Sequence, residues 1–135
     1  MTDAEKAEVA ARVRTETLHA WNGYKQYAWG HDSLKPLTRQ PFDWYGPGHS
    51  LLMTPIDALD TLTLMGLTAQ ADEARKLIDT QLNLDQDIYV KDFEITIRLL
   101  GSLISRALKS RGDESVLKDV RGQVAELSVR FPIYR

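Results

Sequence analysis

The sequence predicts an all-α protein of about five helices arranged as antiparallel hairpins. Apolar residues recur at three- and four-residue spacing through most of the chain, as on one face of a helix. Glycines, prolines and capping residues divide this pattern into segments of helical length. We find no β periodicity of consequence, because apolar and polar residues do not alternate over any long segment. Helices joined in this way are typical of an α-bundle or an α-toroid.

The composition is ordinary for a globular protein and excludes several kinds of site. The chain has 135 residues, of which 43% are apolar and 27% charged. Its 17 basic and 19 acidic side chains give a net charge of −2, which offers no basic footprint for nucleic acid. Since there is no cysteine, a disulfide scaffold, a thiolate zinc site and a cysteine nucleophile are excluded. No apolar run could span a bilayer, and no signal peptide is visible, so the compartment stays open.

The first helix is predicted from about Asp3 to Ala28. Charged residues occupy one side of this segment, and no proline or glycine interrupts it before Gly23. The other side carries a stripe at helical spacing, made of Val9, Val13, Thr17, Ala20, Trp21, Tyr24 and Ala28.

Residues 29–53 are predicted to form a long loop that packs on the body of the protein. Prolines and glycines are dense here, at Pro36, Pro41, Gly46, Pro47 and Gly48. The segment also holds two of the three tryptophans, together with a phenylalanine and a tyrosine. Large aromatic side chains in an irregular segment favour a packed, functional loop over a disordered one.

The second and third helices are predicted from capping and stop signals. Thr54 is expected to cap the second helix, with Pro55 at its first position and Asp57 answering the cap. Gly66 is expected to end it. The third helix is predicted over residues 69–81, followed by a polar connector over residues 83–90. Its apolar face consists of Ala71, Ala74, Leu77 and Ile78.

The fourth and fifth helices are predicted from about Lys91 to Ser110 and from Glu114 to about Val129. Arg111-Gly112-Asp113 separates the two, with the glycine past the end of one helix and the aspartate as cap of the next. The expected buried stripe of the fourth helix is Phe93, Ile97, Leu100, Ile104 and Ala107, widened by Leu99, Leu103 and Leu108.

Glu94 and Arg98 are the first candidates for chemistry. They lie four residues apart on one helix face, in the favoured order, with apolar neighbours on both sides. A carboxyl in an apolar cavity can serve as a general acid, and an arginine beside it can hold a polar ligand. The residues by themselves favour a structural ion pair, since such pairs are common on helices and most contribute little.

Asp57 and Asp60 are the next candidates, because carboxylates three residues apart on a helix could bind a metal or share a proton. For Asp57, helix capping is the favoured interpretation. Asp60 interrupts an apolar helix, and it is expected to satisfy a loop amide or a base such as Arg98 or Lys35.

The histidines do not form a metal motif. His19, His31 and His49 are too dispersed for a helical pair of ligands. His31 and Asp32 could orient each other, and a structural role in the loop is favoured for both. No nucleophile elbow, P-loop or dinucleotide fingerprint is present.

Three segments together resemble one enzyme family. Residues 21–37 (WNGYKQYAWGHDSLKPL), residues 57–67 (DALDTLTLMGL) and residues 93–101 (FEITIRLLG) are similar to segments of the class I α-1,2-mannosidases, glycoside hydrolase family 47, in the same order and spacing. The similarity runs from about Val9 to Ile104, and residues 41–50 look closest to bacterial members.

The resemblance implies a fold and an activity. The family folds as an (αα)7 barrel, binds Ca²⁺ at its base, and removes α-1,2-linked mannose from oligosaccharides with inversion. In this family the glutamate of the F-E-x-x-I-R motif, here Glu94, is assigned as the general acid. It is generally thought to act through a water molecule. The arginine of that motif, here Arg98, shapes the sugar site. The implied substrate is a mannose-containing oligosaccharide, and His31, Asp32, Asp57 and Asp60 are expected to have structural or supporting roles.

The length limits what the chain is expected to do. The family's other catalytic carboxylates and its calcium-binding threonine lie in later helices, and nothing after Gly101 matches those motifs, so we expect no metal ligands here. Residues 1–135 are therefore expected to be one partial domain, an arc of the barrel with impaired or absent hydrolysis. Its exposed apolar helix faces could drive self-association. The alternative is a small, non-catalytic helical domain that binds glycan or protein through the aromatic loop 29–49.

Overall fold

The computed structural model describes residues 1–101 and 114–130. Helix α1 spans Asp3–Tyr27, as the apolar spacing predicts. A reciprocal capping box begins the helix: the Glu5 N–H donates to Thr2 Oγ1 over 3.2 Å, and the Thr2 N–H donates to Glu5 Oε2 over 2.6 Å. Only the last turns of the predicted stripe are buried, at Trp21 and Tyr24, whereas Val9 and Val13 remain about half exposed.

The loop over residues 29–53 contains a short hairpin that the sequence did not predict. Strands β1 (Ser33–Lys35) and β2 (Gln40–Phe42) pair antiparallel, with Leu34 opposite Pro41. Three residues are too few to show an alternating pattern, and a proline in β2 hides the strand further. The end of the loop is deeply buried, since Leu51, Leu52 and Met53 are almost inaccessible.

Helix α2 spans Met53–Leu64, and its predicted cap is wrong. Leu52 occupies the capping position in a left-handed conformation, with φ of 55°, and no local side chain caps the helix. Thr54 lies inside the helix, where its Oγ1 and N–H both donate to the carbonyl oxygen of Asp32. The predicted end is confirmed: Gly66 has φ of 67° immediately after the last turn.

Helix α3 spans Thr68–Gln81 and packs antiparallel against α2. Its predicted apolar face is confirmed, because Ala71, Ala74 and Leu77 are buried. The following residues up to Lys91 contain no regular helix or strand, as expected for the connector. Together the α2–α3 hairpin and the end of α1 enclose a core cluster of Trp21, Tyr24, Ala28, Leu62, Leu67, Ala71 and Ala74.

The predicted fourth helix begins as a single α-helical turn and then changes its hydrogen bonding. Helix α4 spans Asp92–Ile95, and a π-helical segment, π1, continues it over Thr96–Leu100. Of the predicted buried positions that can be compared, Leu99 is confirmed, whereas Phe93 and Ile97 are wrong. Phe93 is 72% and Ile97 52% exposed, whereas Ile95 and Leu99 are 3% and 1% exposed. The wider π-helical turn and the docking of Ile95 and Leu99 on the buried loop end together set this face.

Helix α5 spans Glu114–Arg130, close to the predicted range. The remaining positions of the predicted fourth helix, the Arg111-Gly112-Asp113 boundary and residues 131–135 lie outside the described residues. Val120 of α5 joins a second core cluster with Leu51, Leu52, Met53, Ile56, Leu77, Leu84, Ile95 and Leu99. The all-α prediction is confirmed, and within the described ranges no helix has the length and apolar character needed to cross a membrane.

Candidate active site

Arg98 joins two carboxylates that come from different helices. Its Nε donates to Glu94 Oε2 over 2.7 Å within the α4–π1 helix, as the four-residue spacing predicts. Its Nη1 donates to Oδ2 of Asp57, which lies on α2, 41 residues earlier in the chain. The arginine therefore connects α2 to π1 through a planar group with charge-assisted hydrogen bonds on two of its sides.

This three-residue cluster is partly open to solvent. The side chains of Glu94, Arg98 and Asp57 are 28%, 30% and 37% exposed. The hydrogen bond to Glu94, with the nearby Asp57 carboxylate, raises the pKa of Arg98 despite its partial burial, so the guanidinium stays charged. Burial raises the pKa of Asp57, and the adjacent Arg98 opposes part of that rise. The cluster thus offers charged groups that a polar ligand could reach.

Asp57 does not cap α2, contrary to the sequence interpretation. The Asp57 carboxylate could reach the capping residue only if that residue were Thr54. The helix begins at Met53 instead, which places Asp57 too far along it. The side chain turns to Arg98 instead. Asp60 lies one turn further along α2 and is half-buried. Its predicted supporting role stays a prediction.

The indole of Trp44 lies against Arg98. The Cζ atom of Arg98 is 4.8 Å from the centre of the Trp44 ring, within the range of a cation–π contact. Trp44 comes from the turn after β2, and its Nε1 donates to Ser33 Oγ of β1 over 2.6 Å. Sequence reasoning placed Trp44 in the packed loop without linking it to the Glu94–Arg98 pair.

Asp32 organises the loop from a fully buried position. Its Oδ2 accepts from the backbone N–H of Trp44 over 3.0 Å. Its Oδ1 accepts from the N–H groups of Leu51 and Met53 over 2.7 and 3.2 Å, and from Ser50 Oγ over 3.2 Å. A buried carboxylate is tolerated when its oxygens are hydrogen-bonded in this way. Asp32 therefore ties the turn at Trp44 to the start of α2.

His31 does not pair with Asp32 through its side chain. Its Nδ1 lies 3.1 Å from both carboxylate oxygens of Asp43, a residue that the sequence analysis did not single out. Asp43 also accepts from the N–H groups of Asp32 and Gly48, each over 3.2 Å. The carboxylate of Asp32 is engaged by the start of α2, which leaves Asp43 as the partner of His31. A histidine 12 residues before an aspartate gives no pattern that predicts this contact.

The candidate residues therefore form two groups joined by one residue, Trp44, through its ring and its backbone N–H. Glu94, Arg98 and Asp57 form the exposed group, while His31, Asp32 and Asp43 form the loop group, and Trp44 contacts both. His49 lies apart from the exposed group and contacts Gln86 Oε1 over 3.1 Å. Within residues 1–101 and 114–130, no three histidine, aspartate or glutamate side chains come together as a metal site.

Comparison with known proteins gives consistent similarities. The sequence profile described as Glycosyl hydrolase family 47 matches residues 16–128. The human endoplasmic reticulum mannosyl-oligosaccharide 1,2-alpha-mannosidase is 46% identical over 101 residues, which are 75% of this chain and 14% of that protein. The pig mannosyl-oligosaccharide 1,2-alpha-mannosidase IA is 38% identical over 129 residues, or 96% of this chain and 19% of that protein.

A solved structure shares the fold. The alpha-1,2-mannosidase from Trichoderma reesei superimposes with a TM-score of 0.72 at 25% sequence identity. The superposition covers 88% of this chain and 26% of the fungal chain. The superposed part of this chain thus corresponds to about a quarter of the fungal chain, and this chain spans less than a fifth of the human and pig relatives.

Proposed function

Since the chain belongs to glycosyl hydrolase family 47, we propose that Glu94, Arg98 and Asp57 form one wall of the sugar site of an α-1,2-mannosidase. The observation that carries the proposal is the Arg98 bridge between carboxylates of two helices. A plain helical ion pair would not involve α2. Arginine with flanking carboxylates offers donors and acceptors to sugar hydroxyls at a surface that solvent still reaches.

Glu94 is the proposed general acid. In that role its carboxyl O–H gives a proton, directly or through a water, to the glycosidic oxygen as the bond to the anomeric carbon breaks. Inversion requires a second carboxylate on the opposite face of the sugar, about 6.5–9.5 Å away, to activate the attacking water. Family resemblance places that carboxylate in later helices. Arg98 then has the role of holding substrate hydroxyls beside the acid.

The proposed substrate is a terminal α-1,2-linked mannose of an oligosaccharide. The human, pig and fungal relatives are all named as 1,2-alpha-mannosidases. Linkage preference beyond this class depends on subsites that the described residues do not form by themselves.

Calcium dependence is proposed for the complete hydrolase only. The described residues do not fit a calcium site, because no suitable group of three acidic or histidine side chains comes together among them. No step of the mechanism above is therefore assigned to a metal. The acid and the arginine act on the sugar through their own proton and hydrogen bonds.

Two measurements test the proposal. The 135-residue chain is incubated with α-1,2-mannobiose and Ca²⁺, and mannose release is followed. We expect little or no release, since the second carboxylate is not supplied; robust turnover that Glu94→Gln abolishes would contradict this expectation. The alternative of a non-catalytic binding domain gains support if the chain binds the disaccharide equally well with Glu94→Gln.

The site assignment is tested in the complete Trichoderma reesei enzyme. Replacing the glutamate that aligns with Glu94 by glutamine is expected to lower kcat about 10²- to 10⁴-fold, the usual contribution of a general acid. The matched control is the same glutamate-to-glutamine exchange at an exposed position of that enzyme, away from the sugar site. Full activity of the first variant would remove Glu94 from the proposed mechanism.

A further inference from the structure

The contact between Trp44 and Arg98 has no role in the chemistry described above. Trp44 does not belong to the Glu94–Arg98–Asp57 cluster, yet its ring lies 4.8 Å from Arg98 Cζ. We propose that Trp44 is a positioning residue, whose indole face fixes the plane of the Arg98 guanidinium between Glu94 and Asp57. The inference rests on the proposed function for its catalytic consequence, whereas the positioning itself can be measured without hydrolysis.

Arg98 needs such a support because its two partners, Glu94 and Asp57, lie on different helices. Glu94 and Arg98 are on the same helix and move together, but Asp57 is on α2. A long, partly exposed arginine has several rotamers that keep one ion pair and lose the other. An aromatic face under the guanidinium restricts those alternatives, since the cation–π contact is favourable only while the guanidinium stays over the ring.

Trp44 is itself held from two sides. Its indole Nε1 donates to Ser33 Oγ over 2.6 Å, and its backbone N–H donates to the buried carboxylate of Asp32 over 3.0 Å. Asp32 accepts in addition from the N–H groups of Leu51 and Met53 at the beginning of α2. A continuous set of contacts therefore runs from the start of α2 through Asp32 and Trp44 to Arg98, and the same helix presents Asp57 to Arg98.

Substitutions of Trp44 can distinguish a positioning role from simple filling of space. If Trp44 only filled space, phenylalanine and leucine at this position would affect Arg98 equally once the chain folds. If its π face fixes Arg98, phenylalanine preserves the effect and leucine abolishes it. Loss of the Ser33 hydroxyl should have an intermediate effect, because it frees the indole while keeping the ring.

The test uses the 15N-labelled 135-residue chain and the Nε–Hε resonance of Arg98, which is assigned by its disappearance in Arg98→Lys. In the native chain we expect a ring-current shift and slow exchange of Hε with water. Trp44→Leu is expected to remove the shift and speed exchange about tenfold, whereas Trp44→Phe keeps most of both. Trp29→Leu is the control, because the Trp29 ring packs edge-on against Trp21 and tilted against Tyr24.

The outcomes separate the two proposals. An unchanged Arg98 resonance in Trp44→Leu, or equal loss in the leucine and phenylalanine variants, overturns the positioning role. If Trp44→Leu does not fold, Ser33→Ala decides: faster Hε exchange supports the role and unchanged exchange overturns it. Neither readout involves mannose, so a failure of Glu94 as general acid in the fungal enzyme would leave this result intact.

Discussion

The carboxylate of Asp32 accepts a hydrogen bond from the backbone N–H of Met53, the first residue of α2, 21 residues away in sequence. The N–H of Leu51 donates to the same oxygen over 2.7 Å. The capping residue of α2, Leu52, makes no side-chain hydrogen bond to the helix. The carboxylate of Asp32 accepts from the first turn in its place, although it lies in a distant loop. A negative charge at this end of a helix is also favoured by the helix dipole.

Replacing Asp32 by alanine is expected to destabilise the chain by about 3 kcal/mol or more. The substitution leaves the N–H groups of Trp44, Leu51 and Met53 without their acceptor, and each buried unsatisfied donor costs about 1–3 kcal/mol. Urea unfolding followed by circular dichroism measures the change. Asp32→Asn should lose less, because one oxygen remains.

The control for this series is Asp87→Ala in the exposed connector, for which we expect a change within about 0.5 kcal/mol. Equal stability of the Asp32 and Asp87 variants would show that Asp32 does not hold the start of α2.

Replacing Arg98 by methionine is expected to raise the pKa of Asp57 further. Burial already raises this pKa, Arg98 lowers it, and the nearby Glu94 raises it, so removal of the arginine leaves only the two raising effects. Titration of the Asp57 carboxyl carbon by NMR measures the midpoint. A midpoint that falls or stays constant would contradict the assigned contact.

The sign of the accompanying stability change follows from linkage. A carboxyl whose folded-state pKa exceeds its unfolded value disfavours folding above both values, and the cost disappears as the pH falls below them. Arg98→Met should therefore be more destabilising at neutral pH than in acid. Arg75→Met is the matched control, because its partner Asp72 is largely exposed.

Leu99→Ala is expected to cost about 2–5 kcal/mol, the range for a large residue removed from a packed core. Ile97→Ala should cost less than about 1 kcal/mol, because Ile97 is 52% exposed. Thermal and urea unfolding of the two variants test the register of π1. The reverse order would mean that the stripe predicted from sequence, with Ile97 inside, is the buried one.

Gly66→Ala is expected to lower stability by about 1–2 kcal/mol, because the residue has φ of 67°, a conformation that a Cβ disfavours. Gly122→Ala inside α5 serves as the opposite case. An added Cβ meets nothing within 4 Å there, and alanine in a helix should gain about 0.5–1 kcal/mol. If both variants are less stable than the native chain, the helical assignment of Gly122 is contradicted.

Local patterns were sufficient for several elements of the fold. The glycine after α2 and the apolar spacing of α1 and α3 act over one or two turns of the chain. Each depends on backbone hydrogen bonds or side chains within a few residues, so their sequence signal is local and readable. The pairing of Glu94 with Arg98 has the same origin, because four residues separate them on one helix.

The wrong predictions share a different cause. The cap of α2 and the partners of His31 and Asp57 depend on residues 12 to 41 positions away, and the buried face of π1 depends on the end of the loop at residues 51–53. A local candidate was available in each case: Thr54 for the cap, Ile97 for the core, Asp32 for His31. The tertiary partner displaced it because leaving a buried polar group unsatisfied, or an apolar surface exposed to water, costs more free energy than a local contact returns.

The sequence by itself determined the helical class, most of the helix boundaries and the Glu94–Arg98 pair, since all of these follow from periodicity and short-range hydrogen bonding. Only the tertiary structure decided that Arg98 also binds Asp57, that Trp44 lies against it, and that Asp32 begins α2 from a distance. These contacts join segments that are far apart in sequence, and whether they meet depends on how the helices pack. The spacing of residues along the chain does not give the distance between such segments in the folded protein.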